Sequence, residues 1–288
     1  MNFIYKLPGY ILLLFGGFCL SWGGLIVRSF ESSTSEWEIL LLRSFFFFLG
    51  ISTFLFIIYK NSAIKTIRDA GLPALIGGFV MSFSFIAFVF AMKNTYVANV
   101  VFIISTQTVF LAIFGYIYLK EKVSLISFLS IVLAMSGIIL MIGDSIFSGT
   151  IFGNLVALTI PISFSVLVMI VRKNPTLDLV PAIWYASIFS FLFSLFYVQS
   201  FDFSNNDIFM GFLLGVPQLS FGFICITIGS RTTRSVTIGL LMLTETILAP
   251  IWVWIFKNEI PPISVFIGGT IIISALILKS FDKNLVRT

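Results

Sequence analysis

Apolar residues run through this chain in long blocks separated by short polar clusters, and no block keeps up the strict alternation of a half-buried strand. A continuous apolar block of about 20 residues matches a helix crossing the hydrocarbon core of a bilayer at 1.5 Å per residue. The blocks fall at about 7–27, 37–58, 70–92, 96–119, 124–143, 151–171, 180–199, 207–229, 235–256 and 262–280. The pattern predicts an all-α membrane protein with ten transmembrane helices and no soluble domain in its short loops. The first block lacks a small-x-small cleavage site and is read as a span, not as a removed signal peptide.

Composition agrees, since 59% of the residues are hydrophobic and 10% charged, against about 25% charged in a soluble domain. The net charge of +5 does not point to nucleic acid, because the cations lie in loops between spans. With the N-terminus inside, the inner loops and termini hold 13 Lys and Arg. The outer ones hold only Arg28, Lys93 and Lys257, and Arg43 lies within a span. That bias predicts both termini in the cytoplasm of a multi-pass inner-membrane protein. The absence of His removes the commonest metal ligand and the usual general base at neutral pH, so neither a metal nor a cofactor is expected. Cys19 and Cys225 fall inside apolar blocks and read as small buried hydrophobes.

A shift of 138 residues places Lys93 on Arg231, Thr106-Gln107-Thr108 on Thr244-Glu245-Thr246, Glu121 on Glu259 and Ser136 on Ser274. The chain therefore divides into two five-span repeats, 1–147 and 148–288. Five is odd, so the second copy enters the membrane from the opposite side, the inverted duplication of carriers that alternate access around a midplane site.

Glu245 lies about ten residues from either end of its block, hence ~15 Å deep. A charge there costs at least ~2.5–3.5 kcal/mol on insertion scales, so it marks a polar cavity or a buried partner. Helical spacing puts Thr237, Leu241, Thr244 and Trp252 on its side. Two readings follow: a site for a substrate ammonium or a coupling proton, or a structural ion pair with Arg43, the other charge at membrane depth. Gln107 is the repeat mate of Glu245, with Asn99 and Thr106 on a neighbouring strip; an interhelical hydrogen bond would explain it equally. Gln218 follows Pro217, and Pro161 sits in the middle of the sixth block, where a missing N–H frees a carbonyl and marks a hinge or a cavity. Trp22 and Trp252 are expected as cavity walls suited to an organic ammonium through cation–π contact, with Tyr185 and Phe85 as further walls, while Trp254 reads as interfacial.

Trp22 in the first block, Arg43 in the second, Ala91-Met92 with Thr95 after the third, and the stretch Pro250 to Glu259 closing the ninth make the chain resemble the drug/metabolite transporter superfamily, in its ten-helix EamA-like branch. It departs from the pattern at Ala112, where the repeat's proline is expected, and at Leu119-Lys120-Glu121, where Leu-Gly-Glu is usual. The resemblance implies a secondary transporter moving a small metabolite across the cytoplasmic membrane, in many members an amino acid or related compound leaving the cell. Glu245, Gln107, Trp22, Asn99, Thr244, Gln218, Trp252, Tyr185 and Phe85 are the expected path residues. Arg43 is an ion-pair or gating residue, and Pro161, Pro217 and Pro250 are hinges. The expected partners are the substrate, membrane lipids and a coupling proton or cation, for a monomer or dimer that binds no nucleic acid. No nucleotide-binding glycine loop occurs, so the expected drive is a gradient or exchange. The alternatives are a non-transporting receptor or scaffold and, less in keeping with a membrane interior of one acid and no His, an intramembrane enzyme.

Overall fold

The computed structural model describes residues 3–94, 97–142, 151–257 and 263–281. Thr95 and Glu259 lie outside them, as do the side chains of Asn99 and Pro250. The described residues form fourteen α-helices and no strand. The first block becomes α1 (Gly9–Leu20) and α2 (Gly23–Val27), the second α3 (Glu36–Tyr59), and the third α4 (Ala63–Asn94). The fourth is split into α5 (Val97–Ser105) and α6 (Gln107–Leu119), and α7 (Leu125–Ile142) follows. The sixth is split into α8 (Ile151–Ala157) and α9 (Thr159–Lys173), and the seventh is α10 (Val180–Tyr197). The eighth runs as α11 (Asn205–Leu213), a π-helical segment (Leu214–Ser220) and α12 (Phe221–Ser230), before α13 (Ser235–Lys257) and α14 (Ile263–Ser280).

Among the described residues six helical segments are long and apolar enough to cross a bilayer, and the apolar helices at Ile103–Leu119, Leu125–Leu140 and Phe266–Lys279 are shorter. One of the six, Glu36–Asn94, contains both α3 and α4. The outer surface carries large apolar side chains such as Phe196, Ile151 and Phe56. In water that surface would be unfavourable; in lipid it is the solvated face. The protein is a multi-pass integral membrane protein.

Local chemistry sets the helix ends. Ser35 and Glu38 form a capping box that starts α3, in which the Ser35 N–H donates to Glu38 at 2.7 Å. Lys60, at φ 48°, ends that helix, and Gly71, at φ 55° just before Pro73, kinks α4.

Four of the spans are broken, the sixth and the eighth beside Pro161 and Pro217. In the sixth, Pro161 has no N–H for the Ala157 carbonyl, and the break falls at Leu158, a turn earlier than the proline itself. In the eighth, Pro217 cannot bond the Leu213 carbonyl, and the ladder widens to π spacing around it. At the other two breaks a hydroxyl competes for the backbone: Ser21 Oγ donates to the Phe18 carbonyl and Thr106 Oγ1 to the Ile103 carbonyl, both at 2.6 Å.

Packing runs between non-consecutive spans. α4 lies on α9 and α10, α1 on α12 and α13, α3 on α10 and the π-helical segment, α6 on α9 and α13, and α7 on α14. Glycines allow the closest approaches. A Cβ on Gly78 would lie 2.5 Å from the Ala182 carbonyl oxygen, and one on Gly239 2.7 Å from the Thr108 Cα.

Polar side chains tie the loops together at both ends of the bundle. At one end Asp207 accepts from Thr34 Oγ1 at 2.7 Å and from the Glu31 N–H at 3.1 Å, while Lys93 Nζ donates to the Thr34 carbonyl at 3.0 Å. At the other end Tyr5 and Tyr59 donate to Asp178, and Arg231 donates to the Pro175 carbonyl at 2.7 Å. Burial, reinforced by the Asp178 carboxylate, pushes the Tyr5 hydroxyl far above its ordinary value, so it remains a donor. At that same end Glu121 pairs with Arg172 and accepts from the Ser235 N–H, joining the ends of α6 and α9 to the start of α13.

Candidate functional site

Where the broken spans meet, a small cavity of about 40 Å³ lies among α1, α3, α4, α5, α6, α9, α12, α13 and the π-helical segment. Its polar lining is Arg43, Ser84, Gln107, Gln218 and Glu245, and its apolar lining includes Phe85, Phe88, Phe164 and Phe223. A volume of this size holds a few waters, not a metabolite. The site is closed.

Each polar group arrives for a local reason. Gln107 opens α6 directly after the Thr106 break. Glu245 is fixed by the neighbours of α13: Thr246 Oγ1 is 2.6 Å from Ser105 Oγ, and Thr108 Oγ1 donates to the Gly239 carbonyl at 3.0 Å. These contacts seat the end of α5 and the start of α6 on α13, with Gln107 and Glu245 lining the same cavity. Gln218 follows Pro217 within the π turn and donates from Nε2 to the Leu20 carbonyl at 3.3 Å, at the end of α1. Its Oε1 is buried and has no hydrogen-bond partner among the described residues.

Arg43 is 2% exposed. Its Nη1 donates to the Phe85 carbonyl at 3.2 Å, its guanidinium carbon stands 4.9 Å from the Phe88 ring centre and 5.5 Å from that of Phe85, and its Nε has no partner among the described residues. The ion pair of Arg43 with Glu245, the alternative reading of the sequence, is not formed; among the described residues the ion pair is Arg172 with Glu121. The phenylalanine rings, not a carboxylate, cover the guanidinium.

Other expected site residues lie elsewhere. Thr244 turns to α1, where its Cβ would be 3.2 Å from a Cβ on Gly17, and its hydroxyl donates to its own helix at the Leu241 carbonyl. From α13 the cavity takes Met242 and Glu245, the i−3 neighbour, because α1 occupies the i−4 side. Tyr185 packs against Trp184 and over Gly78 between α10 and α4, away from the cavity. Trp22 and Trp252 stack on each other with ring centres 4.1 Å apart, and Trp252 Nε1 donates to Ser21 Oγ at 2.7 Å. Trp22 lines a second cavity of about 620 Å³, and Gln218 borders both. Phe85 does line the central cavity; Pro217 borders the second; Pro161 is buried beside Ile160, a central wall. Phe88, Phe164 and Phe223 went unpredicted. With 35 phenylalanines in the chain, nothing in the sequence separates them from lipid-facing rings.

Residues 7–143 match the model of the EamA-like transporter family. A comparison with curated proteins gives no match. Among solved structures, one crystal structure of a protein superposes with a TM-score of 0.78 at 13% identity, covering 94% of this chain and 96% of that one. That likeness carries the fold alone.

Proposed function

Residues 7–143 belong to the EamA-like transporter family of the drug/metabolite transporter superfamily, and on that premise we propose that this protein is a secondary transporter for a small amine-bearing metabolite, an amino acid or related compound. The observation that carries the reading is Glu245, a carboxylate at mid-span that faces the central cavity with Gln107 and has no ion-pair or hydrogen-bond partner among the described residues. A group so costly in a membrane is kept for a ligand or a proton.

Ten spans in two inverted five-span repeats give the transporter its means of alternating access. The packing supports this reading, because the main contacts between spans recur with the halves exchanged. The third span on the sixth matches the eighth on the first, the fourth on the sixth matches the ninth on the first, and the second on the eighth matches the seventh on the third. The repeat mates Lys93 and Arg231 each hold a backbone carbonyl of the loop after the first span of their own half, at Thr34 and Pro175. The cavity of about 40 Å³ is a narrowed form of the path. Opening it toward the cytoplasm requires Glu121 and Arg172 to part, and opening it outward requires the Asp207 contacts to loosen.

Purified protein in proteoliposomes, offered a panel of labelled amino acids and amines with and without a pH gradient, is expected to show saturable flux that Glu245→Ala abolishes. Equal flux in the wild type, Glu245→Ala and empty liposomes for every compound would defeat the proposal.

A further inference from the structure

Two opposite charges line the central cavity, and neither satisfies the other. Arg43, buried on α3, has one hydrogen bond, to a backbone carbonyl, and an Nε without a partner among the described residues. Glu245, on α13, is not within ion-pairing distance of it. Gln218 adds a buried carbonyl oxygen with no partner among the described residues, and its amide group is already committed to Leu20. A guanidinium buried without an anion is expensive, and pairing restores what burial removes only when the remaining donors are met as well. Among the described residues no second carboxylate lines this cavity.

Charge balance then limits the cargo. A simple organic cation would pair with Glu245 and leave Arg43 alone with its positive charge; a simple anion would do the reverse. A molecule carrying one ammonium and one carboxylate answers both groups and leaves the cavity neutral. The guanidinium fork matches a carboxylate by two parallel hydrogen bonds, which a point cation does not reproduce.

Resting on the reading of Glu245 as the ammonium site, we propose that Arg43 is the anion subsite of the same cavity, so that the protein recognises a small zwitterion with an apolar body by both of its charges. Phe85, Phe88 and Phe223 supply the surface for that body. Because the cavity is so small, the zwitterion enters as the bundle moves and the cavity widens.

The test uses the full chain in lipid nanodiscs and three probes for each apolar α-amino acid: the amino acid, its decarboxylated amine and its deaminated acid. Wild type is expected to bind at least one amino acid about 10- to 100-fold more tightly than either partial probe, the range set by one charge-assisted contact. Arg43→Gln is expected to bring that amino acid down to the affinity of its amine while leaving the amine unchanged, and Arg43→Lys to restore part of the difference. Wild type that binds the amine as tightly as the amino acid, or binds no amino acid, overturns the inference. If it still binds amines through Glu245, the proposed transport function stands; if it binds none of the probes, both fall. Equal weakening of amine and amino acid by Arg43→Gln makes Arg43 a structural residue and also overturns the inference. Should that variant fail to fold, the three-probe comparison on wild type together with Arg43→Lys decides.

Discussion

At the scale of single residues, Glu245 separates two mechanisms. Glu245→Gln keeps the shape and removes the charge. If the carboxylate binds a substrate ammonium, affinity is expected to fall roughly 30- to 150-fold, about 2–3 kcal/mol. If it carries the coupling proton, the amide mimics the protonated form, so binding and exchange persist while gradient-driven flux is lost. Binding isotherms and flux measured on the same preparation distinguish these outcomes. Glu121 is a residue of another kind. Its oxygens serve Arg172 and the Ser235 N–H at the end of the bundle, with about 16% of its side chain exposed. Glu121→Gln is expected to destabilise the protein by about 1–3 kcal/mol, and Glu121→Gln/Arg172→Gln to recover part of that, read as melting shifts in detergent.

At the scale of elements, the breaks in the spans matter more than the spans. The π-helical segment carries Gln218 to the cavity, and Gly215 within it lets the backbone of α3 come close. A Cβ there would stand 2.5 Å from Phe46 Cβ, 2.6 Å from the Phe47 amide nitrogen and 2.7 Å from the Arg43 carbonyl oxygen. Backbone atoms cannot step aside as a flexible side chain can. Gly215→Ala is therefore expected to push α3 outward, cost about 1–3 kcal/mol and weaken ligand binding through Arg43. Gly269→Ala in α14 is the control, since nothing lies within 4 Å of the added carbon. It is expected to be neutral or to gain up to about 1 kcal/mol from helix propensity, again by thermal unfolding.

At the scale of the whole molecule, orientation is the open quantity that the charge pattern predicts. Single cysteines at Ser33 or Asn205 should react with an impermeant maleimide added outside intact cells, and one at Asn61 should not. Both native cysteines are buried and give a low background. Labelling at Asn61 under those conditions would reverse the orientation and, with it, which end Glu121 and Arg172 close.

The sequence by itself determined the solvent and the element type. Apolar blocks of bilayer length leave the backbone no choice but to bond to itself, so helices and an apolar exterior were legible without a structure. The sequence also singled out Glu245, Gln107, Gln218 and Arg43, because a polar group at membrane depth is conspicuous against so apolar a background. It could not say how those groups meet. Helical spacing gave Glu245 a face with Thr244 and Trp252, but a helix packed on several sides has several faces, and only the position of α1 decided that the Met242 side looks into the cavity. The same holds for Arg43. One cation and one anion at membrane depth could be read as a pair or as separate groups of a site, and the packing of α3 against α4 turned the guanidinium onto Phe85 and Phe88. Burial is a property of composition and can be read along the chain; distance between spans is a property of packing, and it exists only once the helices are assembled.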